Sequence, residues 1–358
     1  MKRLTKYRTF VAMATSNFSK KLLRWHETYN RNMPWKDRSD AYAIWLSEII
    51  LQQTRVEQGL PYYLRFLDTF PTIHDLAKAD EQTVLKLWEG LGYYSRARNL
   101  HFTAKHISEQ LDGHFPNTYN GLLTLKGVGP YTAAAIASFA FHLPHAVVDG
   151  NVFRLLSRYS ANFTDISSTL GRKEFTILAN KLIDPKQPAK FNQALMDLGA
   201  KVCKPTKPSC TDCPLQANCS ALAQNIISEL PVKLKKIKRK TRYFYYFVFR
   251  KGTTTWIQKR TKKDIWLSLY EFPILESPKR IPDQEIHRYL HKIAPKARLS
   301  HQKGPFKQLL THQKIIGHFW VLTITQKPLL EHLLQVEDSQ LSTYPFPKMM
   351  TKFFSASE

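Results

Sequence analysis

The four cysteines of this 358-residue chain all lie within 17 residues: Cys203, Cys210, Cys213 and Cys219, spaced C-x6-C-x2-C-x5-C. Thiols gathered this way can close two disulfides, hold a zinc ion or bind the corners of an iron–sulfur cluster. With no secretory signal in view and no cysteine elsewhere, disulfides are disfavoured. Zinc sites commonly use two C-x-x-C knuckles, and only Cys210-Thr-Asp-Cys213 has that form. Three unequal gaps suit a [4Fe–4S] cube better, with zinc as the alternative. Lys201, Lys204 and Lys207 share the loop, so a metal there would hold a basic surface against something negative.

Charge says what that something is. Lys and Arg number 53 against 28 Asp and Glu, a net charge of +25. That excess exceeds what solubility needs and points to a polyanion. An anionic membrane is the competing partner, but no apolar run approaches the ~20 residues of a spanning helix and no basic amphipathic helix stands out. Nucleic acid is favoured. Residues Met1 to Arg8 are basic, and the apolar stretch Phe10 to Ala14 is too short for a signal peptide, with Met13 an alternative start. The expected setting is a reducing, bacterial-type cytoplasm, and the expected state a monomer.

The elements that would position this chemistry change character along the chain. From about Asn17 to Gln224 apolar residues recur at helical spacing, as in Tyr42, Trp45, Leu46, Ile49 and Ile50, with Pro and Gly breakers between runs. From Val232 to Lys263 there are thirteen basic residues and no acidic one, which reads as a linker over 231–241 leading into a second domain. Strand-like runs follow at Tyr243–Phe249, Thr253–Gln258 and His318–Thr325, with a helix near Asp283–Lys292. The fold class is therefore multidomain: an all-α domain over 17–230, then an α+β domain over 242–358.

Within the helical part, Leu125-Lys-Gly-Val-Gly-Pro-Tyr-Thr-Ala133 joins a short helix to a longer apolar one. Gly127 and Gly129 permit a tight turn, and the amides at the second helix's start form an anion site sized for one phosphate. This helix-hairpin-helix pattern grips a DNA backbone without reading sequence.

Together with Trp45-Leu-Ser-Glu-Ile-Ile-Leu-Gln-Gln-Thr54, Leu87-Trp-Glu-Gly-Leu-Gly-Tyr-Tyr94, Val148-Asp-Gly-Asn-Val152, Phe191–Gly199 and the cysteine loop, the hairpin resembles the MutY-type adenine DNA glycosylases. These belong to the helix-hairpin-helix superfamily that includes endonuclease III. The likeness is close over 20–225 and one of kind over 240–350, where such enzymes carry a Nudix-like domain. It implies double-stranded DNA as partner, with adenine opposite 8-oxoguanine or guanine as the mispair, and N-glycosidic cleavage after base flipping as the reaction. It also implies a [4Fe–4S] cluster on the four cysteines.

Such a reaction needs a better leaving group and a stabilised sugar cation, work that two carboxylates in contrasting environments can share. Glu48, on an apolar helix with Ile44, Trp45, Leu51 and Gln52 at contact spacing, suits the protonated acid. Asp149, ahead of a helix starting near Val152, suits the ionised partner, its charge supported by helix-terminal amides. Read locally, it is an N-cap. Tyr131 stands where lyases of the superfamily carry a nucleophilic lysine, so water should attack and the strand should survive. Tyr131 is expected to hydrogen-bond Asp149, and Asn151 to help place the catalytic water. By the resemblance, Gln53, Thr54 and Tyr93 enter the duplex and Gln193 contacts the base pocket.

Trp266 to Glu285 lacks the glutamate-rich run of a working Nudix hydrolase. The resemblance implies instead that Leu310-Thr311-His312 reads the damaged base, with Thr311 and His312 as contacts and an aromatic of the family's Phe-Ser-His pattern replaced by Leu310. The runner-up readings are an endonuclease III-like pyrimidine glycosylase/lyase, argued against by Tyr131 and the extra domain, and a non-catalytic iron–sulfur DNA-binding protein, argued against by Glu48 with Asp149.

Overall fold

The computed structural model describes residues 17–29, 34, 38–234 and 238–356. Both candidate start codons and part of the basic linker lie outside the described residues. Contacts group the chain into two compact units that do not follow chain order. One holds residues up to 56, 70–74 and 102–235; the other holds 57–69, 75–101 and everything from 236 on.

The first unit is helical. It contains α1 (17–29), α2 (Ala41–Leu51), α7 (Tyr119–Leu123), α8 (Pro130–Phe139), α9 (Gly150–Ser160), α10 (Thr169–Leu182), α11 (Pro188–Lys201) and the single turn α12 (Ser220–Ala223). Helix α2 starts where the Asp40 side chain takes the amides of Tyr42 and Ala43, and every residue from Tyr42 to Ile50 is buried. A helix apolar on all sides belongs in a core, and that carries Glu48 out of water. The α1, α9, α10 and α11 faces share one apolar cluster that includes Phe18, Leu156, Phe175 and Leu195. Cys203, Cys213 and Cys219 pack against it.

The second unit includes α3 (Val56–Thr69), α5 (Glu81–Leu87) and the start of α6 (Ser95–Gln110) together with the C-terminal sheet; α4 (Ile73–Lys78) spans the two groupings. The sheet orders β3 (Tyr270–Glu271), β2 (Thr254–Lys259), β1 (Lys240–Lys251), β6 (Gln313–Thr323) and β5 (Arg298–Leu309). Strands β4 (Ile274–Ser277) and β7 (Leu334–Glu337) pair with β1 and β2. The β1–β6 pair is parallel and the rest are antiparallel, so the sheet is mixed. Helices α13 (Asp283–Ile293) and α14 (Lys348–Ser355) complete the α+β arrangement. Strand β1 begins at Lys240, inside the stretch read as linker. Among the described residues no helix is long and apolar enough to cross a membrane.

Candidate active site and cysteine loop

Glu48, Tyr131 and Asp149 come together although 101 positions separate the two carboxylates in the chain. Burial pushes the Glu48 carboxyl up to about 7; the Tyr131 hydroxyl works against that, and the nearby Asp149 charge adds to it. Tyr131 is itself raised well above the usual phenol range, first by burial and then by the two carboxylates, so it keeps its proton at neutral pH. Its hydroxyl lies 3.6 Å from the Met196 sulfur and interacts with Glu48. The expected bond from Tyr131 to Asp149 gives way to these two contacts, because α8 presents the phenol to α2 and α11. Asp149 is felt only as a charge.

Asp149 caps α9, its Oδ1 accepting from the Val152 amide at 2.7 Å and its Oδ2 from Asn151 Nδ2 at 2.9 Å. The helix therefore begins at Gly150, two residues earlier than expected, and the cap and the candidate catalytic carboxylate are one residue. Burial raises the Asp149 carboxyl; the Val152 and Asn151 bonds and the Arg154 charge pull it down without cancelling burial. Helix-terminal support is present, but desolvation outweighs it. The segment leading to Asp149 is pinned by side-chain amides: Asn180 Oδ1 accepts from Ala146 N at 2.9 Å, and Asn192 bridges Val147 N and the His145 carbonyl.

Asn151 continues the line outward. Its Oδ1 accepts from Arg154 Nη2 at 2.9 Å, and Arg154 also donates to the Gly199 carbonyl and, through Nε, to the Cys203 carbonyl at 2.7 Å. A Cβ at Gly199 would meet Asn151 atoms at 2.9 to 3.0 Å, so the close crossing of α9 and α11 needs glycine there. Arg158, one turn after Arg154 and 2% exposed, donates to the carbonyls of Leu230, Lys204 and Pro205 and approaches Cys203 Sγ at 3.5 Å. Sequence reasoning missed these two arginines. Their i, i+4 spacing on an apolar helix, aimed at one loop, was the available signal.

All four cysteines are free and line one pocket with Arg158 and Leu155. Burial raises the thiols of Cys210, Cys213 and Cys219, Cys213 to about 11, and in each case neighbouring sulfurs add to the effect. Four sulfurs around a shared space form a donor set suited to a cationic centre, which would favour their thiolate forms. Among the described residues, no set of three His, Cys, Asp or Glu side chains closes on a single metal ion.

The hairpin runs from α7, capped by the Thr118 hydroxyl, to α8, which opens on Pro130. Gly127 has φ +83 and needs glycine's freedom; Gly129, at φ −92 and ψ 179, does not, contrary to the expectation for both. An added Cβ at Gly129 meets nothing within 4 Å. The protein's own packing thus does not require glycine there.

The remaining candidates are spread over both units. Gln53, at φ 55, is exposed after α2, and Thr54 is half-buried beside it. Gln52 donates to Thr132 at 3.2 Å, tying the end of α2 to α8. In the second unit, Tyr93 is 49% exposed at φ 48, and its hydroxyl lies 2.9 Å from Thr311 Oγ1. Thr311 and the exposed His312 form the turn between β5 and β6. Non-glycine residues at positive φ are uncommon and cluster at functional sites. Gln193 meets Asp197 on its own helix.

Two family models match the chain: the HhH-GPD superfamily base excision DNA repair protein model over residues 46–179, and the NUDIX domain model over 245–356. The adenine DNA glycosylase of Buchnera aphidicola subsp. Baizongia pistaciae is 35% identical over 318 residues, 87% of either chain. The human adenine DNA glycosylase is 46% identical over 213 residues, which are 57% of this chain and 39% of that longer one. Among solved structures, a thermostable thymine-DNA glycosylase superposes with a TM-score of 0.53 at 28% identity, over 62% of this chain and 98% of that one.

Proposed function

The chain belongs to the adenine DNA glycosylase family, and on that premise we propose that it releases adenine from duplex DNA where adenine faces 8-oxoguanine or guanine, hydrolysing the N-glycosidic bond and leaving the strand intact. The observation that carries this reading is the buried Glu48–Tyr131–Asp149 group: one carboxyl raised to about 7 by burial, beside a second that accepts hydrogen bonds from the Val152 amide and Asn151. An acid near neutrality can protonate the adenine ring of a flipped nucleotide, making the base a better leaving group. The Asp149 anion then faces the positive charge that develops on the sugar, and that charge in turn favours its ionised form. Asn151 orients Asp149 and the attacking water. Tyr131 carries no amine, so no Schiff base forms there and no strand cleavage follows.

Gly127 and Gly129 would let a phosphate approach the hairpin backbone. The open space beside Gly129 supports this, since its glycine identity answers to something outside the protein. Gln53, Thr54 and Tyr93 would each enter the duplex, and Thr311 and His312 would contact the damaged base. The four cysteines line one pocket and fit a [4Fe–4S] cluster. When bound, the cluster would hold the basic loop in shape, and Arg154 and Arg158 would brace that loop from α9. The active form is a monomer.

The test is direct. Incubation with a duplex carrying adenine opposite 8-oxoguanine should give free adenine and an abasic site, with strand scission only after alkali or heat. Borohydride should trap little protein on DNA, and Tyr131→Lys should increase trapping on the same duplex. Strand nicking by the parent protein at the rate of base release would overturn the monofunctional reading. Stoichiometric zinc without iron in the purified protein would overturn the cluster.

A further inference from the structure

Helix α11 brings another polar group to the site. Gln193 and Met196 are half-buried, three residues apart on one stripe of the helix, and Met196 is the residue whose sulfur meets the Tyr131 hydroxyl. On the next turn, Asp197 Oδ2 lies 3.3 Å from Gln193 Nε2 and 3.2 Å from Nε2 of His26, which comes from α1. The His26 and Asp197 side chains are 5% and 7% exposed. An ionised carboxylate accepts hydrogen bonds and donates none. The amide of Gln193 must therefore turn its nitrogen to Asp197, which fixes a polarity that a lone glutamine leaves open. Its oxygen, with no donor among the described residues, is the end left for a ligand.

We propose that the buried His26–Asp197 pair sets base specificity: it holds Gln193 with its carbonyl oxygen as an acceptor toward the extruded base. This rests on the adenine glycosylase reading and on Gln193 lining the base pocket. A purine with an amino group at C6 offers the donor that an acceptor needs. A purine with a carbonyl at C6 sets oxygen against oxygen, leaving two buried acceptors unpaired, and is rejected. His26 and Asp197 are positioning residues; neither touches the base. His26 supplies the donor that keeps the Asp197 carboxylate on the Gln193 side of the helix.

The experiment compares single-turnover excision from two duplexes, one with adenine and one with hypoxanthine opposite 8-oxoguanine. The readout is the ratio of the two rate constants on one preparation, which a loss of folded protein does not change. Asp197→Asn gives Gln193 a partner that both donates and accepts, so the amide can turn. The adenine-to-hypoxanthine ratio should then fall by about tenfold or more. Gln193→Leu should lower the ratio comparably, and Asp197→Asn added to Gln193→Leu should lower it no further. His26→Phe, which keeps a ring and removes the donor, should lower it by a smaller factor and serves if Asp197→Asn does not fold. An unchanged ratio in the Asp197 and His26 variants, with the parent active on adenine, would overturn the proposal and leave the glycosylase reading standing. A parent protein that releases no adenine would overturn the glycosylase reading itself.

Discussion

Among the described residues each unit buries one glutamate, and the two stand in contrasting surroundings. Glu48 sits in the helical unit with a phenol as hydrogen-bonding neighbour and another carboxylate as its charged one. Glu271 sits at the end of β3, where Arg260 Nη1 reaches both its oxygens at 2.7 and 2.8 Å. Arg260 also donates to Glu276 at 2.9 Å, and Arg242 joins Glu276 to Asp264, closing a network of five charges. Burial pushes both glutamates up. At Glu271 a guanidinium pulls back through charge and hydrogen bonds, and Arg260 is itself raised, the mark of an ion pair. At Glu48, among the described residues, it is the phenol that pulls back. Both carboxyls are carried to about 7, but two hydrogen bonds from Arg260 tie Glu271 into the fold, whereas Glu48 has a hydroxyl and a second carboxylate as its neighbours. The network also takes up Asp264, Glu271 and Glu276, carboxylates in or beside the stretch where a Nudix hydrolase would hold its metal.

The largest expected effect separates the two sites by activity. Glu48→Gln keeps shape and removes the titrating proton, so single-turnover adenine excision should fall by roughly 100- to 10,000-fold while duplex binding persists. Glu271→Gln should leave the rate constant of the folded protein near the parent value. Near-normal excision by Glu48→Gln would break the contrast at its strongest point.

Stability should change in opposite directions. Glu271→Gln leaves the Arg260 charge buried without its main partner, which costs about 3–5 kcal/mol in comparable pairs. Glu48 titrates near 7 folded and near 4.5 unfolded. Its raised value means the fold keeps a proton that the unfolded chain releases. Stability from this group is thus fully present below about 4.5 and is lost as pH rises through about 7. Glu48→Gln removes that loss and should stabilise the protein at pH 8 by up to about 3 kcal/mol. Denaturant melts of both variants at pH 5 and pH 8 check the signs; a Glu48→Gln protein no more stable than the parent at pH 8 would contradict the buried-acid account.

The smallest effect tests what tunes Glu48. Excision on the free-enzyme pH profile should decline as pH rises through about 7. Tyr131→Phe removes a neighbour that opposes burial, so this alkaline limb should move to higher pH. A limb that stays in place or moves down would show that the phenol does not set the acid.

Much of this was legible in the chain. The four-thiol donor set, the G-V-G-P turn and the apolar run around Glu48 can each be read locally, because ligand spacing, turn geometry and helical periodicity act over a few residues. Strand β5 was not legible. It is a largely exposed edge strand whose Gly304-Pro305 breaks any alternation, and it forms because β6 offers a ladder to it. The grouping of α3 and α5 with the sheet was equally hidden, since helical periodicity names a face to be buried but not what buries it.

By itself the sequence determined which residues could do chemistry: two carboxylates, a tyrosine where a lysine would make a lyase, four thiols and a glycine turn. Tertiary structure alone decided what those groups are. It brought Glu48 and Asp149 together from distant elements, turned Tyr131 toward Glu48 and Met196, and ran Asp149, Asn151 and Arg154 to the cysteine loop. It also gave the buried Glu271 a guanidinium and the buried Glu48 a phenol and a second carboxylate. The physical reason is that a side chain's protonation depends on the dielectric and charges within a few ångströms, and those neighbours come from helices and strands far apart in the chain.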